Sequence, residues 1–229
     1  MKRNLRYLMV LSIITISLLD VSCPKDSSDD KINVTTDTTR TFNMEYDHME
    51  SYDVFNGVGQ DRVKNAFEPA KTNLNIAWSN WIDDQVWDYR YLDSLYVTTY
   101  ADRTNGLFDH KCYLLAMGEV IHLPVPDIGG ATRDDGIQGK VRSFIFVYNI
   151  RQHFPDYEEM VHKVVIHELG HARASLTHLC IFDNTMSPDH DFEDCVMAEG
   201  RYATCTGYDV TVYLHFCNKC INEIQAVKW

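Results

Sequence analysis

One pentapeptide restricts this chain more than any other feature. His167-Glu168-Leu169-Gly170-His171 falls inside a segment whose apolar residues Met160, Val161, Val164, Val165 and Leu169 recur with the 3.6-residue period of an α-helix. Pro155 and Asp156 stand where such a helix opens. Four-residue spacing puts both imidazoles on one helix face about one turn apart, so both can reach one ion. Imidazole nitrogen suits Zn²⁺, and a working zinc centre keeps three protein ligands with a fourth position for water. Glu168, beside the first ligand, is placed to take a proton from that water, so the pattern predicts metal-assisted hydrolysis of an amide.

The third ligand is less constrained by spacing. His178 lies seven residues beyond His171, and on a continuing helix it would return to the same face about two turns further along the axis. The chain must therefore break and fold back, which the small residues Ala172, Ala174 and Ser175 permit sterically. His178 is the favoured ligand, with His190, Asp183 and Glu199 as alternatives.

The N-terminus has the three parts of an export signal. Lys2, Arg3 and Arg6 precede an apolar run from Tyr7 to Leu19, and small residues lead to Cys23. Residues 1–22 are read as a signal peptide. Leu19-Asp20-Val21-Ser22-Cys23 resembles a bacterial lipobox, with Asp20 where an aliphatic residue is usual, so Cys23 is expected to carry the lipid. Residues 23–41, rich in Ser, Thr and Asp, read as a lipid-anchored flexible linker. Its Lys25, Asp26, Asp29 and Asp30 resemble the tether of lipoproteins on the outer membrane. No later segment approaches the ~20 consecutive apolar residues of a membrane span, so membrane attachment is expected at the N-terminus alone. With 21 basic against 33 acidic residues, the net charge of -12 repels a phosphate backbone and argues against a nucleic-acid partner.

One domain is expected over residues 42–229. Val63, Phe67, Leu74, Ala77, Trp78 and Trp81 suggest helix between Gln60 and Trp81, interrupted near Pro69. Leu95 to Tyr100 reads as a strand, and Tyr113 to Met117 with Val120 to Leu123 as a hairpin or one irregular strand. Asp127 to Gly139, with four glycines, reads as a surface loop, and Val141 to Ile150 as a buried strand leading into the histidine helix.

Beyond Cys23 there are six cysteines, Cys112, Cys180, Cys195, Cys205, Cys217 and Cys220. An even number in an exported chain ordinarily means disulfides. Yet Cys217-Asn218-Lys219-Cys220 is a C-x-x-C pair that Cys180 and Cys195 could complete as a four-thiolate zinc site, leaving Cys112 and Cys205 for a disulfide.

Taken in order, His167 to His171, His178 with Cys180, Cys195-Val196-Met197 and Phe216 to Cys220 resemble the archaemetzincin family of zinc metallopeptidases. The chain departs from that pattern where the family has glycine at the position of Ala174 and its third histidine at that of Thr177. The resemblance implies an α+β, zincin-like fold: a twisted mixed sheet packed on an active-site helix, with a smaller, mainly helical C-terminal subdomain. It implies a catalytic zinc on His167, His171 and His178, Glu168 as general base, and Met197 in a turn beneath the metal. A structural zinc on Cys180, Cys195, Cys217 and Cys220 is implied as well. The expected activity is hydrolysis of peptide or protein substrates outside the cytoplasm. Two other readings fit the same residues: a catalytically silent binding module of this fold, and a hydrolase of a non-peptide amide.

Overall fold

The computed structural model describes residues 38–95, 112–124, 129–133, 141–176, 195–197 and 214–227. The stretch read as a signal peptide, Cys23 and most of the stretch read as a linker lie outside these residues.

A mixed sheet of five strands organises the chain. Strand β1 (Arg40–Met49) is followed by helix α1 (Gly59–Phe67) and strand β2 (Thr72–Ile82). Then come β3 (Trp87–Asp88), a 3-10 turn (Tyr89–Tyr91), the short helix α2 (Leu92–Leu95), β4 (Cys112–Met117), β5 (Val120–Ile121), β6 (Gly130–Arg133) and β7 (Val141–Phe146). Helices α3 (Val147–His153), α4 (Tyr157–Ala174) and α5 (Asn218–Ala226) complete the described elements. The strand order is β2-β1-β4-β7-β6, all parallel except the edge strand β6, which runs antiparallel to β7. The α+β character and the mixed sheet packed on the histidine helix agree with the expected fold class.

Both faces of this sheet are buried, as the apolar runs in its strands require. On one face Phe42, Met44, Tyr46, Cys112, Leu114, Ala116 and Ile145 join the core that holds Val165, Ile166, Leu169 and Ala172 of α4. On the other, Met49, Tyr113, Leu115, Met117, Phe144 and Phe146 pack with Leu92 and Val120. That second face also buries charge. Arg142 donates through Nη2 to Asp93 at 3.0 Å and the Tyr113 hydroxyl donates to Asp47 at 2.9 Å, so these buried polar atoms have partners.

Six expectations change. The segment from Gln60 to Trp81 is not one helical stretch: α1 ends at Phe67, and Lys71 takes a left-handed conformation (φ 50°) that turns the chain into β2. Thr72, Leu74 and the half-buried Ile76 face inward between the exposed Asn73 and Asn75, a period of two that outweighs the helical spacing of the larger residues. Residues 113–117 and 120–123 form neither a hairpin nor one strand. β4 joins the main sheet while β5 pairs with β3 in a separate two-stranded sheet, because Gly118 and Glu119 turn the chain between them.

Strand β7 stops at Phe146, and the residues expected to extend it to Ile150 are helical. There the side-chain amide of Asn149 replaces a strand partner, accepting from the Val120 N–H and donating to the Val120 carbonyl, each at 3.1 Å. Within the expected loop 127–139, Gly130–Arg133 pairs with β7 as edge strand β6. Of the expected strand from Leu95, that residue closes helix α2 and the remainder lies outside the described residues. The first strand opens at Arg40, inside the stretch read as linker.

Candidate metal centre and active site

Helix α4 carries the pentapeptide, and its packing decides what each residue faces. Leu169 and Ala172 are in the core, while His167 and His171 are half-buried on the remaining side. The helix ends at Ala174 because Ser175 takes a left-handed conformation (φ 50°), with its N–H donating to the His171 carbonyl at 2.8 Å. This is the break required to fold the chain back, made by a serine at a position that glycine would occupy without strain.

That fold-back fixes the second imidazole. His171 Nδ1 donates to the Leu176 carbonyl, and His167 Nδ1 donates to the Val196 carbonyl at 3.0 Å. A carbonyl can only accept, so each Nδ1 carries the ring hydrogen and each Nε2 presents its lone pair. The two Nε2 atoms face each other at 3.1 Å with ring planes at 84°. Two lone pairs at that distance repel unless a proton or a cation lies between them. Two imidazoles on one tetrahedral zinc stand about 3.3 Å apart, so the pair fits such an ion, and its Nδ1–carbonyl bonds are of the kind that orient metal-binding histidines.

Glu168 points the other way around the helix, toward β6. The Thr132 hydroxyl donates to Glu168 Oε2 at 2.7 Å and stands 2.8 Å from the Ser143 hydroxyl. Burial pushes the Glu168 carboxyl up to about 7, opposed by the Thr132 hydrogen bond. Gly130 is what allows β6 to come so near: a Cβ there would lie 2.9 Å from Glu168 Cγ, Glu168 Oε1 and Val164 Cγ1 alike.

The turn Cys195-Val196-Met197 packs beneath the helix and is wholly buried. A Cβ on Gly170 would lie 2.9 Å from Met197 Sδ and 2.9 Å from Phe216 Cε1, so the glycine of the pentapeptide is needed for this contact. The turn is held from below, its Val196 N–H donating to the His215 carbonyl at 2.8 Å. Cys195 Sγ lies 3.7 Å from Cys220 Sγ, and Cys217 Sγ lies 3.6 Å from Cys220 Sγ. Sulfurs in a disulfide are ~2.05 Å apart, whereas two thiolates on a tetrahedral zinc at ~2.3 Å are separated by about 3.8 Å. The spacing fits shared coordination. The Cys220 thiol, then the Cys217 and Met197 amides, donate to Cys195 and lower its thiol, while the same contact with Cys195 raises that of Cys220, so without a metal the pair gives up one proton readily and keeps the other.

Of the expected site residues, the structure brings together His167 with His171, Val196 and Met197 with α4, and Cys195 with Cys217 and Cys220. His178, Cys180, Asp183, His190, Glu199 and Cys205 lie outside the described residues. Cys112 is a free thiol at the centre of the sheet, pushed up to about 12 by burial, so it is a core residue. Gly130, Thr132 and Ser143 were not expected at the site, because a short edge strand amid Gly and Asp carries turn chemistry and no motif.

No protein-family model matches the chain, and none of the curated proteins matches it. Among solved structures it is similar to archaemetzincin from Methanopyrus kandleri, at 16% identity over 83% of this chain and 97% of that one, with a TM-score of 0.48. It is also similar to a zinc-dependent peptidase from Methanocorpusculum labreanum, at 12% identity over 79% of this chain and 99% of that one, with a TM-score of 0.45.

Proposed function

We propose that the chain is a zinc-dependent peptidase in which His167 and His171 hold the metal, His178 completes the site, and Glu168 is the general base. One observation carries the reading: both Nδ1 atoms are committed to backbone carbonyls while both Nε2 lone pairs converge at 3.1 Å on the helix that bears Glu168. When bound, zinc supplies Lewis acidity, lowering the pKa of a water toward ~7 and polarising the scissile carbonyl. Glu168 takes the water's proton and returns it to the leaving amine. The Thr132 hydroxyl holds Oε2 during both transfers, which leaves Oε1 to carry the proton. Val196 and Leu176 keep the imidazoles in the tautomer that offers Nε2. The turn at Met197 supports the helix from below, and Cys195, Cys217 and Cys220, with Cys180, hold a structural zinc that fixes this turn. The export-signal pattern of residues 1–22 and the lipobox-like sequence at Cys23 support action on the outer side of a bacterial membrane.

Zinc content and cleavage of a mixed peptide library, measured for wild type and Glu168→Gln, test the proposal. Both proteins should hold the same catalytic zinc, and the variant should lose about 10² to 10⁴-fold in rate. Near wild-type hydrolysis by Glu168→Gln would remove the assigned base. A zinc-loaded wild type that cleaves no peptide would reject the peptidase reading in favour of a binding module or a hydrolase of a non-peptide amide.

A further inference from the structure

Strand β6 brings Gly130 and Thr132 to the candidate site, yet it is four residues long and pairs on one side only, with β7. Backbone bonds hold such a short edge weakly, since each is exchanged for a bond to water. Its last pair works against it as well. Arg133 stands directly opposite Arg142, and like charges facing each other across a ladder destabilise the pairing.

A carboxylate lies between the two arginines. Asp93, on α2, accepts from Arg133 Nη1 at 2.9 Å through Oδ2, and from Arg142 Nη2 at 3.0 Å and Nε at 3.2 Å through Oδ1. The Arg133 guanidinium also lies 4.9 Å from the centre of the Tyr89 ring, on the turn that leads into α2. Tyr89 and Asp93 thus hold the end of β6 from two sides. The Arg142 side chain is wholly buried, and those of Asp93 and Arg133 are 28% and 29% exposed, so solvent screens these contacts less than it screens a surface pair.

Successive side chains of a strand point to opposite faces. Arg133 is therefore on the face of the sheet away from α4, while its neighbour Thr132 faces α4 and donates to Glu168 Oε2 at 2.7 Å. The two residues share a peptide unit, so a displacement of Arg133 carries the Thr132 hydroxyl with it. We propose that Asp93 is a positioning residue for hydrolysis: by holding Arg133 and Arg142 together on the far face of the sheet, it keeps β6, and with it Thr132, against the general base. The proposal rests on the peptidase reading of the site.

The test uses the zinc-loaded full chain and a cleavable peptide, and follows kcat, KM and amide hydrogen exchange across Gly130–Arg133. Arg133→Met should speed that exchange and lower kcat about tenfold, less than the ~10²-fold cost of a full 1 Å misplacement, with KM and zinc content unchanged. Arg133→Lys should stay near wild type, because Arg133 meets Asp93 through Nη1 alone and an ammonium can replace that contact. Asp93→Asn should cost more than Arg133→Met, since it leaves two arginines face to face, and the double variant should return to the Arg133→Met level. If Asp93→Asn does not fold, the arginine variants decide on their own. Unchanged exchange in Arg133→Met, faster exchange with unchanged kcat, or a loss confined to KM overturns the proposal. If zinc-loaded wild type cleaves nothing, the peptidase reading fails separately. Crystals of Arg133→Met then decide: a distance from Thr132 Oγ1 to Glu168 Oε2 longer than the 2.7 Å of the wild type supports positioning, and an unchanged one refutes it.

Discussion

Adding one methyl group to strand β6 should separate the general base from the metal site. A Cβ at Gly130 would stand 2.9 Å from Glu168 Cγ and Oε1, whereas unstrained carbon contacts begin near ~3.5 Å. In Gly130→Ala the Glu168 side chain must therefore retreat by about 0.6 to 1 Å, and a misplacement of about 1 Å can cost ~10²-fold in rate. Gly129 is the matched control. The atoms nearest its Cβ would be Val164 Cγ2 at 3.0 Å and Ile150 at 3.2 and 3.4 Å, atoms of side chains that can shift. Overpacking costs about 1 to 3 kcal/mol, partly offset by the ~0.5 to 1 kcal/mol gained when alanine replaces glycine in extended backbone. Both variants should therefore fold and hold zinc. In kcat measurements on a cleavable peptide, Gly130→Ala should fall about 10 to 100-fold while Gly129→Ala stays near wild type. Equal activities, or a Gly130→Ala loss that tracks missing zinc, would refute the placement of Glu168 against β6.

The cysteines, the helix start and the N-terminus give three further tests. Cys220→Ala should lower zinc content and thermal stability together and loosen the turn that orients His167; a single zinc per chain with no thiol alkylated after denaturation would instead establish disulfides. His162 is buried with Arg62 Nη1 donating to its Nδ1 at 3.1 Å, so burial first and then the Arg62 charge hold its pKa below 6.5. Glu158 and Glu159 on its own helix and its bond to the Val54 backbone act the other way. The unfolded chain therefore takes up this proton first, and the stability concerned is full above about pH 6.5 and lost as pH falls through the folded value. His162→Gln should flatten the melting temperature below pH 6.5, and an unchanged profile would reject the assignment. Cys23→Ser should release the mature protein from the detergent phase, since two acyl chains suffice for anchoring; unchanged partitioning would show that Cys23 is not the anchor.

Legibility of this chain followed the range of the interactions involved. The helix Tyr157–Ala174 was readable because its period, its opening at Pro155 and its metal-ligand spacing all agree within one segment. Strand β2 was obscured because Leu74, Ala77 and Trp78 also fit helical spacing, and pairing with β1, far away in sequence, selects the extended form. Helix α3 was hidden in the apolar run Phe144 to Ile150, where the exchange between Asn149 and Val120 decides the outcome. At the site, His167, Glu168, His171 and the C-x-x-C cysteines could be named from spacing alone. Thr132, Ser143 and Gly130 could not, because only the antiparallel pairing of β6 with β7 brings them to Glu168.

The most direct test of the central claim is an anomalous-difference map at the zinc edge from crystals of the full chain. The account predicts a peak bonded to Nε2 of both His167 and His171, at about 2.0 to 2.1 Å from each, with both Nδ1 atoms still on their backbone carbonyls. A zinc-loaded crystal with no peak between these imidazoles, or with the metal on Nδ1, would contradict it.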